Sequence, residues 1–292
     1  MAYAPPIREH LFLLKEVFDI DRYSNLPGFA EVAGGVLEQV LQAGADMAGE
    51  VLAPLNAVGD KQGCRLAGDG SVSTPDGFKS AYDAFCQGGW VGLDFPEEFG
   101  GQALPHVVNL AVNEMICGAN MAFAMYPGLS HGAASAILAG GSQAQKDLYL
   151  PKMVTGEWSG TMNLTEPHCG TDLGMLRTKA VRNGDGSYAI TGNKIWISAG
   201  EHDLSDNVVH LVLARIEGAP AGVKGISLFI VPKFVPREDG SVGERNSLRC
   251  TGLEAKMGIH GNATCFMAYD EARGWLIGEE NSGLKAMFVM MN

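Results

Sequence analysis

Near Glu157 the residue pattern changes period, and that change limits the folds open to the chain. Upstream, segment 28–53 carries small and apolar residues at 29, 32, 33, 36, 37, 40, 41 and 45, the spacing of one helix face, and Pro54 is expected to end it. Thr74-Pro75 reads as an N-cap followed by proline at the first helical position, with Gly88-Gly89 closing that helix. Further helices are expected over about 106–118 and 128–139, and Ser142 with Gln145 has the capping-box spacing of another. Downstream the pattern is strand, turn, strand. "EWSGTMNLT" alternates, and "RTKAVRNGDGSYAITGNKIWISAG" reads as two strands around Asn183-Gly184-Asp185-Gly186. "NVVHLVLARIE", "GISLFIVPK" and "TCFMAYD" are further strands bounded by turn residues.

The expected architecture is therefore α+β. A helical domain with an N-terminal extension covers 1–157, a central β-sandwich or barrel covers 158–278, and 279–292 begins another helical domain. The last stretch, "EENSGLKAMFVMMN", starts like a helix after Ser282. Leu284, Met287, Phe288 and Met291 are expected to form an exposed apolar stripe, which a helix of about ten residues cannot bury alone. The stretch also has no C-cap, so a C-terminal helical domain is expected to be missing from these residues.

Composition narrows the partners. A content of 46% apolar and 18% charged residues over 292 positions supports a well-buried core rather than a disordered chain. The net charge of -12, with no basic stripe, argues against a nucleic-acid partner. It leaves room for a local pocket that takes one phosphorylated ligand. The N-terminus lacks a signal-peptide pattern, and the longest apolar run, around 121–138, is broken by Pro127 and His131. No membrane span is expected. The six cysteines form no CxxC pair, so reduced thiols and a cytoplasmic location are expected. The seven histidines show no ligand spacing, and no metal is expected.

Two stretches carry chemistry. In "MNLTEPHCGTD", residues 162–172, a strand ends at Leu164-Thr165 and Pro167 stops the ladder. Gly170 is expected to adopt a backbone conformation closed to other residues, so that the amides of 168–172 form a nest for an anion with the Thr171 hydroxyl beside it. Ordinary turn chemistry is the competing reading. In "GNKIWISAG", residues 192–200, period-2 alternation puts Trp196 and Ser198 on one strand face with Lys194 beside them. Such a face suits a flat heterocycle, but a core tryptophan on a β-strand reads the same way.

These two stretches, followed by "KMGIHGNATCFMAYD" and "GEENSGLKAMFVMMN" and preceded by "GWVGLDFPEEFGG", resemble the acyl-CoA dehydrogenase family in order and spacing over residues 30–292. The stretch "YAPPIREHLFLLKEV" is similar to that of a longer subfamily, which includes 3-methylmercaptopropionyl-CoA dehydrogenase. The resemblance implies a helical domain, a β-domain and a C-terminal four-helix bundle, with FAD between the last two. It implies that Met162, Leu164 and Thr165 touch the flavin and that Gly170 and Thr171 serve the FAD phosphates. Trp196, Ile197 and Ser198 would pack on the ring system, and Thr171 and Asn292 would lie near the acyl-CoA. Asn292 stands where the family often has Asp. The implied reaction is FAD-dependent α,β-dehydrogenation of an acyl-CoA to the trans-2-enoyl-CoA in fatty acid metabolism, with electrons passed to electron-transferring flavoprotein by a homodimer or homotetramer. The N-terminal extension points to a short or sulfur-bearing acyl group such as 3-methylthiopropanoyl. The base is expected in the missing bundle, and Glu166 and Asp172 are read as structural. A non-catalytic flavin or acyl-CoA-binding module, or a structural subunit, remains open at this point.

Overall fold

In the computed structural model, which describes residues 3–291, the chain before Glu157 forms mainly helices and the chain after it mainly strands. The helices are α1 (Ile7–Leu11), α2 (Val36–Asp46), α3 (Ala53–Gln62), α4 (Phe78–Gln87), α5 (His106–Ala119), α6 (Met121–Gly140) and α7 (Gln143–Val154), with α8 (Gly283–Met291) at the end. A hairpin of β1 (Arg65–Leu66) and β2 (Val72–Ser73), not anticipated from the pattern, interrupts the helices. The later strands are β3 (Trp158–Asn163), β4 (Lys179–Arg182), β5 (Tyr188–Ser198), β6 (Asn207–Ile216), β7 (Ile226–Pro232), β8 (Phe234–Pro236), β9 (Val242–Arg245), β10 (Leu248–Leu253) and β11 (Thr264–Ile277).

Helix boundaries depart from the sequence reading where proline was taken as a stop or a start. Pro54 does not end the helix expected over 28–53. That helix begins after Gly35, at φ 93°, and its path widens over Met47–Leu52 before α3 resumes. Pro54 sits in the first turn of α3, where no amide is needed. Thr74 is not a cap either. The helix α4 starts at Phe78 after Gly77, while the Thr74 hydroxyl and amide donate to the Asp203 carboxylate at 2.7 and 3.1 Å. The helix expected from 128 begins at Met121, because the Asn120 side chain caps it and Pro127 is carried inside. Ser142 and Gln145 do form both bonds of the capping box.

The β-domain is a barrel. In sequence of pairing, β11 joins β5, β5 joins β4, β4 joins β6, β6 joins β7, and β7 returns to β11. The strand β10 adds beside β11, and β3 runs parallel beside β6. Every residue of β6 except Arg215 is buried because both of its faces are covered. Val209, Leu211 and Leu213 pack toward the helices, whereas Val212, Ala214 and Ile216 pack in the second cluster with Ile190 and Phe229. The helices α6 and α7 press closely on β3. A Cβ at Gly160 would lie 2.5 Å from Ala133 Cβ and 2.8 Å from Met153 Cε, so only glycine fits.

The apolar stripe expected on the last helix is split. Met287 is fully buried and Leu284 partly buried against the helix-facing cluster, leaving Phe288, Val289 and Met291 exposed. No helix among the described residues is long and apolar enough to cross a membrane.

Candidate cofactor site

The first motif is built at the C-terminal tip of β3. Just past the strand, the Thr165 carbonyl accepts from the Ile195 amide of β5 at 2.9 Å, which brings the two sequence motifs side by side. Glu166 then turns inward and is 3% exposed. Its carboxylate accepts from the amides of Arg177 and Thr178 at 2.8 and 2.9 Å, from the Thr178 hydroxyl at 2.5 Å, and from Lys194 Nζ at 2.9 Å. Lys194, fully buried, also donates to the Leu164 carbonyl at 2.9 Å. Burial alone would raise Glu166, but the Lys194 ammonium and the bonds from Thr178 and Arg177 hold it below the usual carboxylate range. Burial lowers Lys194 to about 8, with Glu166 opposing. Glu166 is therefore a fixed structural anion with every partner engaged.

The loop after Glu166 mixes turn chemistry with open donors. Glu166 and Cys169 exchange backbone bonds at 2.9 and 3.1 Å. Asp172 accepts from Gly174 at 2.9 Å, and a His168 ring nitrogen lies 3.0 Å from the Met175 carbonyl. Burial, with the Glu166 carboxylate beside it, pushes the Cys169 thiol up, so it is no nucleophile. The amides of His168, Gly170, Thr171 and Asp172, and the Thr165 and Thr171 hydroxyls, have no hydrogen-bond partner among the described residues.

Gly170 does not play the role expected of it. Its φ lies outside the left-handed region, and a Cβ there would meet only Thr165 Cγ2, at 3.6 Å. Gly170→Ala should consequently leave stability within about 0.5 kcal/mol of the parent in urea unfolding. A loss above about 1 kcal/mol would show that the glycine is needed for the backbone itself. What the missing side chain does is leave the space before Thr165 clear.

Trp196 breaks the regular strand. Ile197 pairs with Cys265 but Lys194 pairs with Met267, so a bulge lies between them and Trp196 takes φ 58°. This left-handed backbone is costly for a bulky residue and is the kind of strain found at functional sites. It re-aims the indole. Lys194 and Ile197 are buried, whereas Trp196 is 49% exposed, so Lys194 does not lie beside Trp196 as simple alternation predicted. Nor is Trp196 a core residue.

The remaining expected residues fall in different places. Met162 and Leu164 are partly buried against the helix-facing cluster, and Ser198 is half-buried, its carbonyl accepting from Thr161 at 2.6 Å. The Ile197 side chain is buried among the second cluster, so only its main chain can face a ligand. Asn292 lies outside the described residues. Two residues were missed. Glu254 accepts from the Trp196 indole N–H at 3.2 Å, and Lys256 Nζ sits 5.1 Å from the indole centroid, over its face. The signal was available, since Lys256 opens the third motif. A cleft of about 330 Å³ adjoins them, lined by residues that include Glu254, Gly63 and His260. A cavity of about 750 Å³ between α7 and the Pro236–Gly240 turn is lined by none of Thr165, Thr171 or Trp196.

The N-terminal domain of acyl-CoA dehydrogenases matches residues 68–157, and their middle domain matches residues 161–272. The chain belongs to the acyl-CoA dehydrogenase family. It is 47% identical over 291 residues to 3-methylmercaptopropionyl-CoA dehydrogenase of Ruegeria pomeroyi, covering 100% of this chain and 49% of that protein. The chain spans about half the length of the curated relatives it matches. Among solved structures it is similar to acyl-CoA dehydrogenase complexed with FAD from Bacillus anthracis, at 25% identity and a TM-score of 0.71, covering 89% of this chain and 41% of that one. It is also similar, at 25% identity and a TM-score of 0.69, to a chain from the structure of the electron transferring flavoprotein of Acidaminococcus fermentans, covering 87% of this chain and 61% of that one. The matched N-terminal domain takes in α4 to α7, the matched middle domain takes in most of β3 to β11, and both sequence motifs lie within the latter.

Proposed function

We propose that this chain takes part in FAD-dependent α,β-dehydrogenation of an acyl-CoA thioester to the trans-2-enoyl-CoA, and that the Thr165–Thr171 loop and the Trp196 bulge hold the cofactor. The observation that carries the reading is the bond from Ile195 to Thr165. It sets a half-exposed indole, on strained backbone, next to a loop whose amides and hydroxyls are open. A flat ring with a pyrophosphate tail needs both parts.

The residues present fit FAD. Trp196 and Ser198 would take the ring system with Met162, Leu164 and the main chain of Ile197, and Gly170 and Thr171 the phosphates. Thr171 and Asn292 would lie toward the acyl-CoA. When bound, FAD supplies the hydride acceptor. The chain's own contribution is alignment. Thr165 offers a hydroxyl at the ring edge, and the Glu166–Lys194 pair fixes that hydroxyl by locking the loop to β5. No base for the α-proton is assigned within residues 1–292, because Glu166 already has every partner it can use.

The 47% identity to a 3-methylmercaptopropionyl-CoA dehydrogenase supports a short or sulfur-bearing acyl group. Likeness to a chain from an electron transferring flavoprotein structure supports such a flavoprotein as the electron acceptor. We further propose a homodimer or homotetramer, and domain limits at 157/158 and 278/279. The test uses the protein extended to the length of its relatives. Thr171→Ala with Trp196→Ala should weaken FAD binding at least about tenfold, equal to about 1.4 kcal/mol, in a titration followed by flavin fluorescence. A protein that stays colourless with excess FAD would sink the cofactor assignment. Higher catalytic efficiency with palmitoyl-CoA than with butanoyl- or 3-methylthiopropanoyl-CoA would sink the substrate assignment alone.

A further inference from the structure

Three side chains far apart in sequence meet on the helical side of the molecule. Asp94 follows the turn Trp90–Gly92, His106 opens α5, and His131 lies in the middle of α6. Backbone bonds from Leu104 to Leu93 and from Ala103 to Phe95, both 2.9 Å, fix the Asp94 loop against the segment that enters α5. The Phe95 ring packs on His131 with centroids 4.9 Å apart. The result places Asp94 Oδ2 at 2.5 Å from His106 Nδ1 and Oδ1 at 2.8 Å from His131 Nε2. One ligand atom from each of the three lies within 4.8 Å of the others.

We propose that Asp94, His106 and His131 form a binding site for a divalent transition-metal ion of the zinc class. Two imidazole nitrogens and one carboxylate oxygen are the donor set of open three-ligand zinc sites, whereas magnesium and calcium favour oxygen alone. His131 Nε2 faces the Asp94 carboxylate at 2.8 Å, and the Asn109 side-chain amide, which can turn either its oxygen or its nitrogen toward the ring, lies 3.2 Å away. A metal ion would take the Nε2 lone pair and the carboxylate together.

The access is right: the Asp94 side chain is 8% exposed and that of His106 is 60% exposed, which leaves one side open for a water ligand. Metal–ligand bonds of about 2.0–2.2 Å require the donors to spread by only about 1 Å from their present spacing. The other close group of such residues, Glu166, His168 and Cys169, is the poorer candidate, because Glu166 is spent on Lys194 and the Cys169 thiol is pushed up.

The test is calorimetric titration of the untagged chain with zinc at pH 7.5, together with the visible absorption of bound cobalt. One equivalent should bind with a Kd of about 1 µM or tighter. His106→Ala removes an exposed ring and should leave the fold intact. It should weaken zinc at least about tenfold and change the cobalt spectrum, and Asp94→Asn should do the same. His168→Ala should bind as the parent does. No binding at about 100 µM zinc, parent-like affinity in His106→Ala, or a loss confined to His168→Ala would overturn the assignment.

Discussion

Unfolding free energy should fall by about 5 kcal/mol between pH 7 and pH 4.5, because two histidines are buried in the neutral form. His202 and His210 are fully buried, and both are lowered to about 3, first by desolvation and then by the Lys233 ammonium. The unfolded chain begins to take up protons on these rings near pH 6.5, whereas the folded chain does not until about pH 3. Above pH 6.5 both states are neutral and nothing is lost. Below it the unfolded state binds more protons, so stability drops by about 1.4 kcal/mol per pH unit for each histidine.

The local contacts show why neither ring charges when folded. His202 accepts from the Leu204 amide through Nδ1 at 3.1 Å, a bond that protonation would break, while Nε2 meets Ser159 at 3.0 Å. His210 lies 3.0 Å from the Tyr269 hydroxyl through Nδ1, and its Nε2 has no partner. Urea unfolding at half-unit steps of pH checks the slope, and His202→Gln or His210→Gln should each remove about half of it. A flat profile over this range would refute the explanation.

The second large effect is expected at the Glu166–Lys194 pair. Lys194→Met leaves a buried carboxylate without its countercharge and should cost about 3–5 kcal/mol. Glu166→Leu strands the ammonium in the same way. The double variant should lose less than the sum of the two, because neither charge is then left alone. Urea unfolding of all four proteins gives the coupling, and hydrogen exchange at the Arg177 and Thr178 amides reports whether the loop has come loose. Additive losses would mean that the pair does not act as a unit.

Much of the fold was legible where a local rule decides it. The turn at Asn183–Gly186 and the capping box of Ser142 and Gln145 depend on a few adjacent residues, and both stand as read. Pro54 and Pro127 misled, because proline forbids one amide bond rather than a helix, and neighbouring turns absorb the loss. At the site, the residue types were readable but their directions were not. Alternation assumes a regular strand, and the one-residue bulge before Ile197 turned Trp196 outward while Lys194 stayed inside. Likewise, no spacing rule links Asp94, His106 and His131, which only tertiary packing brings together.

The closed barrel leaves β3 as an added strand with one free side, and the way that side is occupied bears on self-association. The Gly160 amide donates to the Ser130 hydroxyl of α6 at 3.0 Å, the Thr161 hydroxyl reaches the Ser198 carbonyl, and the Thr165 carbonyl receives Ile195. A strand edge with open amides and carbonyls is a template on which a neighbouring molecule can add its own strand. Here α6 covers that side and the buried Ser130 hydroxyl takes the Gly160 amide, so the sheet is not open to extension there.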